Sequence, residues 1–352
     1  MHGYTVEQKD KRRKPHTVYF KMVTNKPPRP SIARSIPLYF VIPSVGAVGT
    51  FMYAYYSMID EAPFTKRKRL LATSSNWERQ MGDKEYKSLL KKYRKDILPH
   101  NHPATITVKR VGSRIADSSR RFAEEHKLIS QPQEKGKVSN YTYTVVRSTQ
   151  ANAFVLPNNH VFVLTGLFKF AKDEDELAAV LGHEMAHNLA RHAGEKVSSS
   201  ILTSIIARAM LLIDPSGVLY SLFMPASVLL HSLPHSRDAE TEADYIGLHL
   251  AADACYDPKA AQRVFRAMKN ETNPVNKKTK QRSPSSSPPE FMSTHPSYDT
   301  RLQNLASWMP DAEAKLNIDD GLKCKHVREE MKVARKLALQ ARIRNSYSTG
   351  LK

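Results

Sequence analysis

The run His183-Glu184-Met185-Ala186-His187 puts two imidazoles and a carboxylate within five residues. On a helix, residues four apart share a face, so His183 and His187 can converge on one ion while Glu184 stands beside it to act on a water molecule. The surrounding residues support that helix. Asp173, Glu174, Asp175 and Glu176 place acids in a first turn, and Leu177, Val180 and Leu181 give an apolar stripe, so the sequence predicts a helix from Leu177 to Ala193. Gly182 leaves room beside the first histidine. Two histidines and an acid at these places arise by chance in roughly one chain of this length in a hundred, which makes core histidines the weaker reading.

A catalytic zinc takes three protein ligands and keeps a fourth position open. Ala190 and Ala193 exclude the spacing in which a glycine and a third histidine follow the motif, and His192 is out of register for it. Downstream acids are the other source, and Glu240-Thr241-Glu242-Ala243-Asp244 supplies them. Glu240 and Asp244 share a helix face, so Glu240 is expected to bind the metal while Asp244 hydrogen-bonds the second nitrogen of a ligand histidine. Glu242 points elsewhere and reads as a solvated helix carboxylate.

These residues need a scaffold, and the composition provides for one. The 352 residues are 41% hydrophobic and 25% charged, as in folded proteins and unlike disordered chains. The net charge of +20 lies largely in a basic arm over 1–35, a polar juxtamembrane linker over 60–103 and a basic helical tail over 311–352. A nucleic-acid binder would interleave its cations with aromatics on the folded domain, so the excess points to an anionic lipid surface and not to nucleic acid. Residues 36–59 carry no charge and are long enough for one transmembrane helix, with Tyr39, Tyr53, Tyr55 and Tyr56 near its ends.

The globular domain is expected over 104–310. Ile106, Val111, Ile115 and Phe122 recur at helical spacing, and Tyr141 to Arg147 has strand composition. Ala153 to Leu156 and Val161 to Leu164 flank Pro157-Asn158-Asn159-His160 and read as a hairpin, its asparagines serving the turn alone. Ile201 to Leu233 reads as two helices broken by Arg208, Asp214, Pro215 and Pro225, packed on the domain or dipping into a membrane surface. The Pro- and Ser-rich stretch 272–289 is expected to be a flexible loop. Cys255 and Cys324 are the only cysteines, and sequence spacing leaves both a bridge and two free thiols open.

The segments HEMAH, SRDAETEADYIG, NAFVLPNNHVF and STHPSYDTR together resemble the HtpX and CAAX-prenyl-protease type of gluzincin metallopeptidase over about residues 60 to 310, its mitochondrial inner-membrane members in particular. The resemblance implies an α+β fold: a mainly helical, zincin-like peptidase domain with a small β-sheet, behind one N-terminal transmembrane helix. It implies one Zn2+ per chain on His183, His187 and Glu240, with Glu184 as the base. It further implies that Asn152, Ala153 and Phe154 line the substrate cleft and that His295 and Arg301 lie near the scissile carbonyl. The expected setting is the mitochondrial inner membrane, with the catalytic domain in the intermembrane space, membrane proteins as substrates and a homo-oligomer left open. That compartment permits a Cys255–Cys324 bridge. The rival readings are a prenyl-protein protease of the endoplasmic reticulum and a non-catalytic membrane scaffold with a relic site.

Overall fold

The uncharged residues Leu38–Ser57 form a helix, α1, which at 1.5 Å per residue is about 30 Å long. The computed structural model describes residues 38–62, 64–126, 128, 141–224, 237–272, 291, 295, 298–317, 322, 324–333 and 336. The basic arm 1–35, the loop 272–289 beyond Thr272, and the tail from 337 onward therefore lie outside the described residues. The expected 36–59 span is helical over 38–57, and Ile59 already belongs to a strand. The chain divides into a unit ending at Ala54 and a unit from Tyr55 onward.

In the second unit, β1 (Ile59–Glu61) and β2 (Lys68–Leu70) pair antiparallel, and α2 (Ser75–Lys92) follows with Ser74 capping its first turn. Residues 60–103, read as a linker, are thus folded. Leu89 of α2 packs on Val146, Leu156, Phe162 and Leu164, and Tyr86 stacks on the His160 ring. The apolar positions of α2 are too sparse to announce a core helix, and its partner surface comes from residues far along the chain.

α3 (Pro103–Glu125) starts with Pro103 in its first turn, where the missing N–H costs nothing. It buries Val111, Ile115 and Phe122 of the stripe seen in the sequence, together with Val108, whereas Ile106 of that stripe is exposed. The strands β3 (Thr142–Val146), β4 (Ala153–Val155) and β5 (His160–Leu164) form one mixed sheet in the order β3-β5-β4, with β3 parallel and β4 antiparallel to β5. The expected hairpin is β4 and β5. Asn159 takes the left-handed conformation the turn needs, with φ 65°. Both asparagines also do more than turn the chain, because Asn158 donates to Asp83 of α2 at 2.7 Å and Asn188 donates to Asn159 at 2.7 Å.

The motif helix α4 runs Glu174–Leu189, capped by Asp173, whose side chain accepts from the Glu176 N–H. It ends four residues earlier than the sequence suggests. Arg191 adopts a left-handed conformation, φ 57°, and its guanidinium donates to Glu78 at 2.6 Å and to the Thr73 carbonyl at 2.7 Å. Those bonds hold a conformation that costs a non-glycine residue about 1 kcal/mol or more. The chain then restarts as α5 (His192–Ile213). This single helix runs through Arg208 where a break was expected; it is long and apolar enough to cross a membrane, and little of it is buried. Residues 218–224 are helical again, and 225–236 lie outside the described residues.

α6 (Arg237–Asp253), α7 (Lys259–Thr272) and α8 (Tyr298–Leu316) complete the domain. The boundary expected at 310 falls inside α8, at Pro310. Residues 324–333 form a helix whose Met331 is buried and whose Val327 packs on the core. Cys255, just after α6, and Cys324 are joined as a disulfide with a Cα–Cα distance of 5.1 Å.

The centre of the core is the crossing of α4 and α6. A Cβ on Gly182 would stand 2.8 Å from the Gly247 carbonyl oxygen, and one on Gly247 would stand 2.7 Å from the His183 nitrogen. The opposing atoms are backbone and cannot swing aside. Gly247→Ala is therefore expected to push the helices apart at a cost of about 1–3 kcal/mol, read as a lower Cm in urea, and to lower zinc content at the same time. An alanine variant with wild-type Cm and zinc content would show that the helices have slack here.

Candidate metal centre

Because α4 and α6 touch through glycine, His183 and His187 on one helix face Glu240 and Asp244 on the other. The chain after α7 brings in His295, and α8 brings in Arg301. All six side chains, with Glu184, are buried. Ligand-type atoms of His183, His187, Glu240 and His295 all lie within 4.8 Å of one another. His183 Nε2 and His187 Nε2 are 3.1 Å apart, and Glu240 Oε1 is 3.4 Å from the latter. Asp244 Oδ1 lies 3.0 Å from His183 Nδ1, the second-nitrogen position expected of it.

The electrostatics fit a divalent cation. Glu184, Glu240 and Asp244 are three buried acids with the Arg301 guanidinium as the fixed cation among them, so buried acids are in excess. Glu240 Oε2 and Glu184 Oε1 are buried without a hydrogen bond, although Arg301 Nη1 is 3.2 Å from the first and His295 Nε2 3.3 Å from the second. Two imidazoles and a carboxylate are the donors zinc prefers.

Titration of these groups follows their surroundings. Burial raises the Glu184 carboxyl above its ordinary range, against the nearby His295 and His183 charges. Burial works the same way on Glu240, but hydrogen bonds from His183, His187 and His295 outweigh it and hold that carboxyl far below the usual range. Burial would lower His183, yet the Asp244 and Glu240 carboxylates drive it up to about 9. His187 is held well below the ordinary histidine value, chiefly by burial. Of the three buried carboxyls Glu184 is the one whose proton affinity is raised, which suits a group that accepts and releases a proton.

A groove of about 390 Å³ opens beside this cluster, lined by Glu184, His187 and His295 at one place and by Asn152, Ala153, Phe154 and Leu156 along one wall. Glu78 and Glu85 of α2 and Tyr93 just after it also line the groove. β4 is an edge strand of its sheet, and its residues Ala153, Phe154 and Val155 all line this space. The sequence-expected cleft residues and the metal-type cluster are therefore brought together.

One expectation is corrected, and two residues take places the sequence left open. Arg301 is bidentate on Asp244 through its guanidinium, at 2.6 Å from Nε and 2.6 Å from Nη2, with Nη1 3.2 Å from Glu240 Oε2. Glu242 is not a solvated carboxylate. It is 1% exposed, accepts from Thr65 Oγ1, and pairs with His192 Nε2 at 2.9 Å. Burial would raise it, but His192, Thr65 and Arg67 bring it down to about 2. His192, out of register for a third ligand after the motif, meets His187 Nδ1 at 2.8 Å instead. Neither residue was legible in the sequence, because the contact crosses the break at Arg191.

An HExxH helix crossed by an acid-bearing helix, at the side of a groove walled by an edge strand, defines a zinc metallopeptidase. The chain belongs to peptidase family M48, whose pattern matches residues 113–309. It is 34% identical to the mitochondrial metalloendopeptidase OMA1 of Schizosaccharomyces pombe over 76% of this chain and 71% of that protein. It is 29% identical to the protein of the same name from Saccharomyces cerevisiae, over 73% of this chain and 71% of that one. Against the human metalloendopeptidase OMA1, mitochondrial, it is 30% identical over 74% of this chain and 48% of the human protein.

The Arg301 pairing makes a stability prediction. Arg301 and Asp244 are both nearly inaccessible, so removing the cation strands a buried carboxylate. Arg301→Ala should cost about 3–5 kcal/mol in urea unfolding. A cost below about 1 kcal/mol would mean that water reaches Asp244 in solution.

Proposed function

We propose that the chain is an endopeptidase of the mitochondrial inner membrane, anchored by α1, that cleaves membrane proteins with its catalytic domain in the intermembrane space. The observation that carries the catalytic part is the meeting of His183, Glu184, His187 and Glu240 at the groove walled by β4. The names of the fungal and human relatives support the setting, and they favour this reading over a prenyl-protein protease or an inert scaffold.

In this reading His183, His187 and Glu240 hold the zinc, and Asp244 holds the far nitrogen of His183. Zinc, when bound, supplies Lewis-acid activation of water and of the peptide carbonyl. Glu184 accepts the proton of the attacking water and delivers it to the leaving amine, a task its raised carboxyl suits. His295, with its Nε2 3.3 Å from Glu184, is placed to donate to the oxyanion. An extended substrate adds to the β4 edge beside Asn152, Ala153 and Phe154, presenting backbone regardless of side chain, which gives broad sequence tolerance. The exposed apolar residues of α5, among them Ile205, Leu212 and Ile213, suit a position against lipid near the substrates.

Glu184→Gln keeps the shape of the base and removes its proton affinity. It should leave zinc bound, measured by metal analysis, and lower peptide hydrolysis at least ~100-fold. Glu240→Ala should lose the zinc as well. Activity of Glu184→Gln within a few-fold of wild type would remove Glu184 from the chemistry.

Deleting residues 36–59 tests the anchor. The truncated protein should leave carbonate-washed mitochondrial membranes and appear in the supernatant. Retention in the pellet would assign membrane attachment to α5 instead.

A further inference from the structure

The two histidines of the motif are supported differently. His183 Nδ1 meets a carboxylate directly, Asp244, which Arg301 holds from behind. His187 Nδ1 meets the Nδ1 of His192 at 2.8 Å, and His192 Nε2 in turn meets Glu242 Oε2 at 2.9 Å. From these contacts we infer that His192 and Glu242 form a positioning relay that fixes the tautomer and orientation of His187, doing through two residues what Asp244 does for His183 in one. The inference rests on the reading of His187 as a zinc ligand.

The hydrogen placement follows from the geometry. A carboxylate only accepts, so the His192 Nε2 facing Glu242 carries a hydrogen. The Nδ1 of a neutral His192 is then bare, and the His187 Nδ1 opposite it must donate. That leaves the lone pair of His187 on Nε2, the atom 3.1 Å from His183 Nε2 and 3.4 Å from Glu240 Oε1. Metal-binding histidines generally have their second nitrogen held in this way, and the partner also raises ligand basicity.

The far end of the relay is fixed as well. Thr65 Oγ1 donates to Glu242 Oε1, and Arg67 Nη2 lies 3.5 Å from Glu242 Oε2 while its guanidinium forks onto Glu195 at 2.6 and 2.8 Å. Thr65 and Arg67 lie between β1 and β2, in the chain that follows α1. His192 itself is the first residue of α5, set by the left-handed turn at Arg191. The relay therefore joins a zinc ligand to the segment after the first helix and to the start of the exposed apolar helix.

The test uses the full-length protein and zinc itself, with affinity measured by chelator competition. Glu242→Gln and His192→Ala should each weaken zinc ~10- to 100-fold, and Glu242→Asp should recover part of the loss. The double variant should be little worse than the weaker single one, because the residues act as one unit. Cobalt in place of zinc should show a shifted visible absorption band in the same variants, reporting an altered ligand field. The unfolding temperature of the zinc-loaded variants should fall by more than that of the same variants without zinc. Two controls separate this inference from the metal assignment: His187→Ala should lose zinc and Glu184→Gln should keep it. If His187→Ala loses zinc while Glu242→Gln and His192→Ala bind it within about twofold of wild type, the relay is wrong and the ligand assignment stands. Retention of zinc by His187→Ala overturns the assignment itself. Losses that multiply in the double variant, or equal falls in unfolding temperature with and without zinc, overturn the relay in favour of two independent packing residues.

Discussion

The backbone contact between Gly182 and Gly247 is the constraint on which the site depends. Two helices with ordinary side chains at their crossing stand 8–10 Å apart. Here the opposing atoms leave no space even for a methyl group. A ligand and its support sit immediately beside this contact: His183 follows Gly182, and Asp244, which meets His183 Nδ1, lies one helical turn before Gly247. Close approach lets short carboxylate side chains on α6 reach imidazole nitrogens on α4. The burial of Leu181, Met185, Ile246 and Leu250 along the same helices supplies the apolar driving force that holds the contact closed.

Burying so many acids is costly unless each is matched. Asp244 is matched by Arg301, Glu242 by His192 with Arg67 nearby, and Glu240 by three histidines and the edge of Arg301. Glu184 is the least compensated, and its carboxyl is raised accordingly. Each pair thus sets a different proton affinity from similar chemistry, with Asp244 and Glu240 held ionised and Glu184 left able to exchange its proton. A divalent cation completes the balance. The arrangement is stable only as a whole, since removing any one charge strands another in a region of low dielectric.

The break between α4 and α5 carries a second consequence. Had the motif helix continued, His192 would have pointed away from His187. The left-handed turn at Arg191 reverses the chain and brings His192 back to the ring of His187, and Glu78 and Thr73 hold that turn. Residues before α3 therefore take part in the site. Arg69 reaches the Ala190 carbonyl from β2, and Arg67 reaches Glu242 and Glu195. The segment that composition alone marks as a polar linker is in fact the outer support of the metal centre.

The sequence by itself determined the chemistry and the class: HExxH on a helix, Glu240 and Asp244 four apart, and the strand pair around Pro157 are local patterns, and local patterns survive in a linear text. It also determined α3, through a stripe that matches the helical period, and the uncharged run that became α1. Only the tertiary structure decided the rest. Arg191 has no residue-type signature for a left-handed turn, so the helix was read four residues too long and His192 was set aside. Glu242 looked solvated because a carboxylate on a charged helix is usually exposed, and its partners, Thr65 and His192, lie far away in the chain. Arg301 was placed near the scissile carbonyl by resemblance, whereas the bidentate geometry that ties it to Asp244 was not legible. In each case the deciding interaction joins residues distant in sequence, and such pairings are fixed by helix packing and by the need to compensate buried charge, neither of which a single sequence displays.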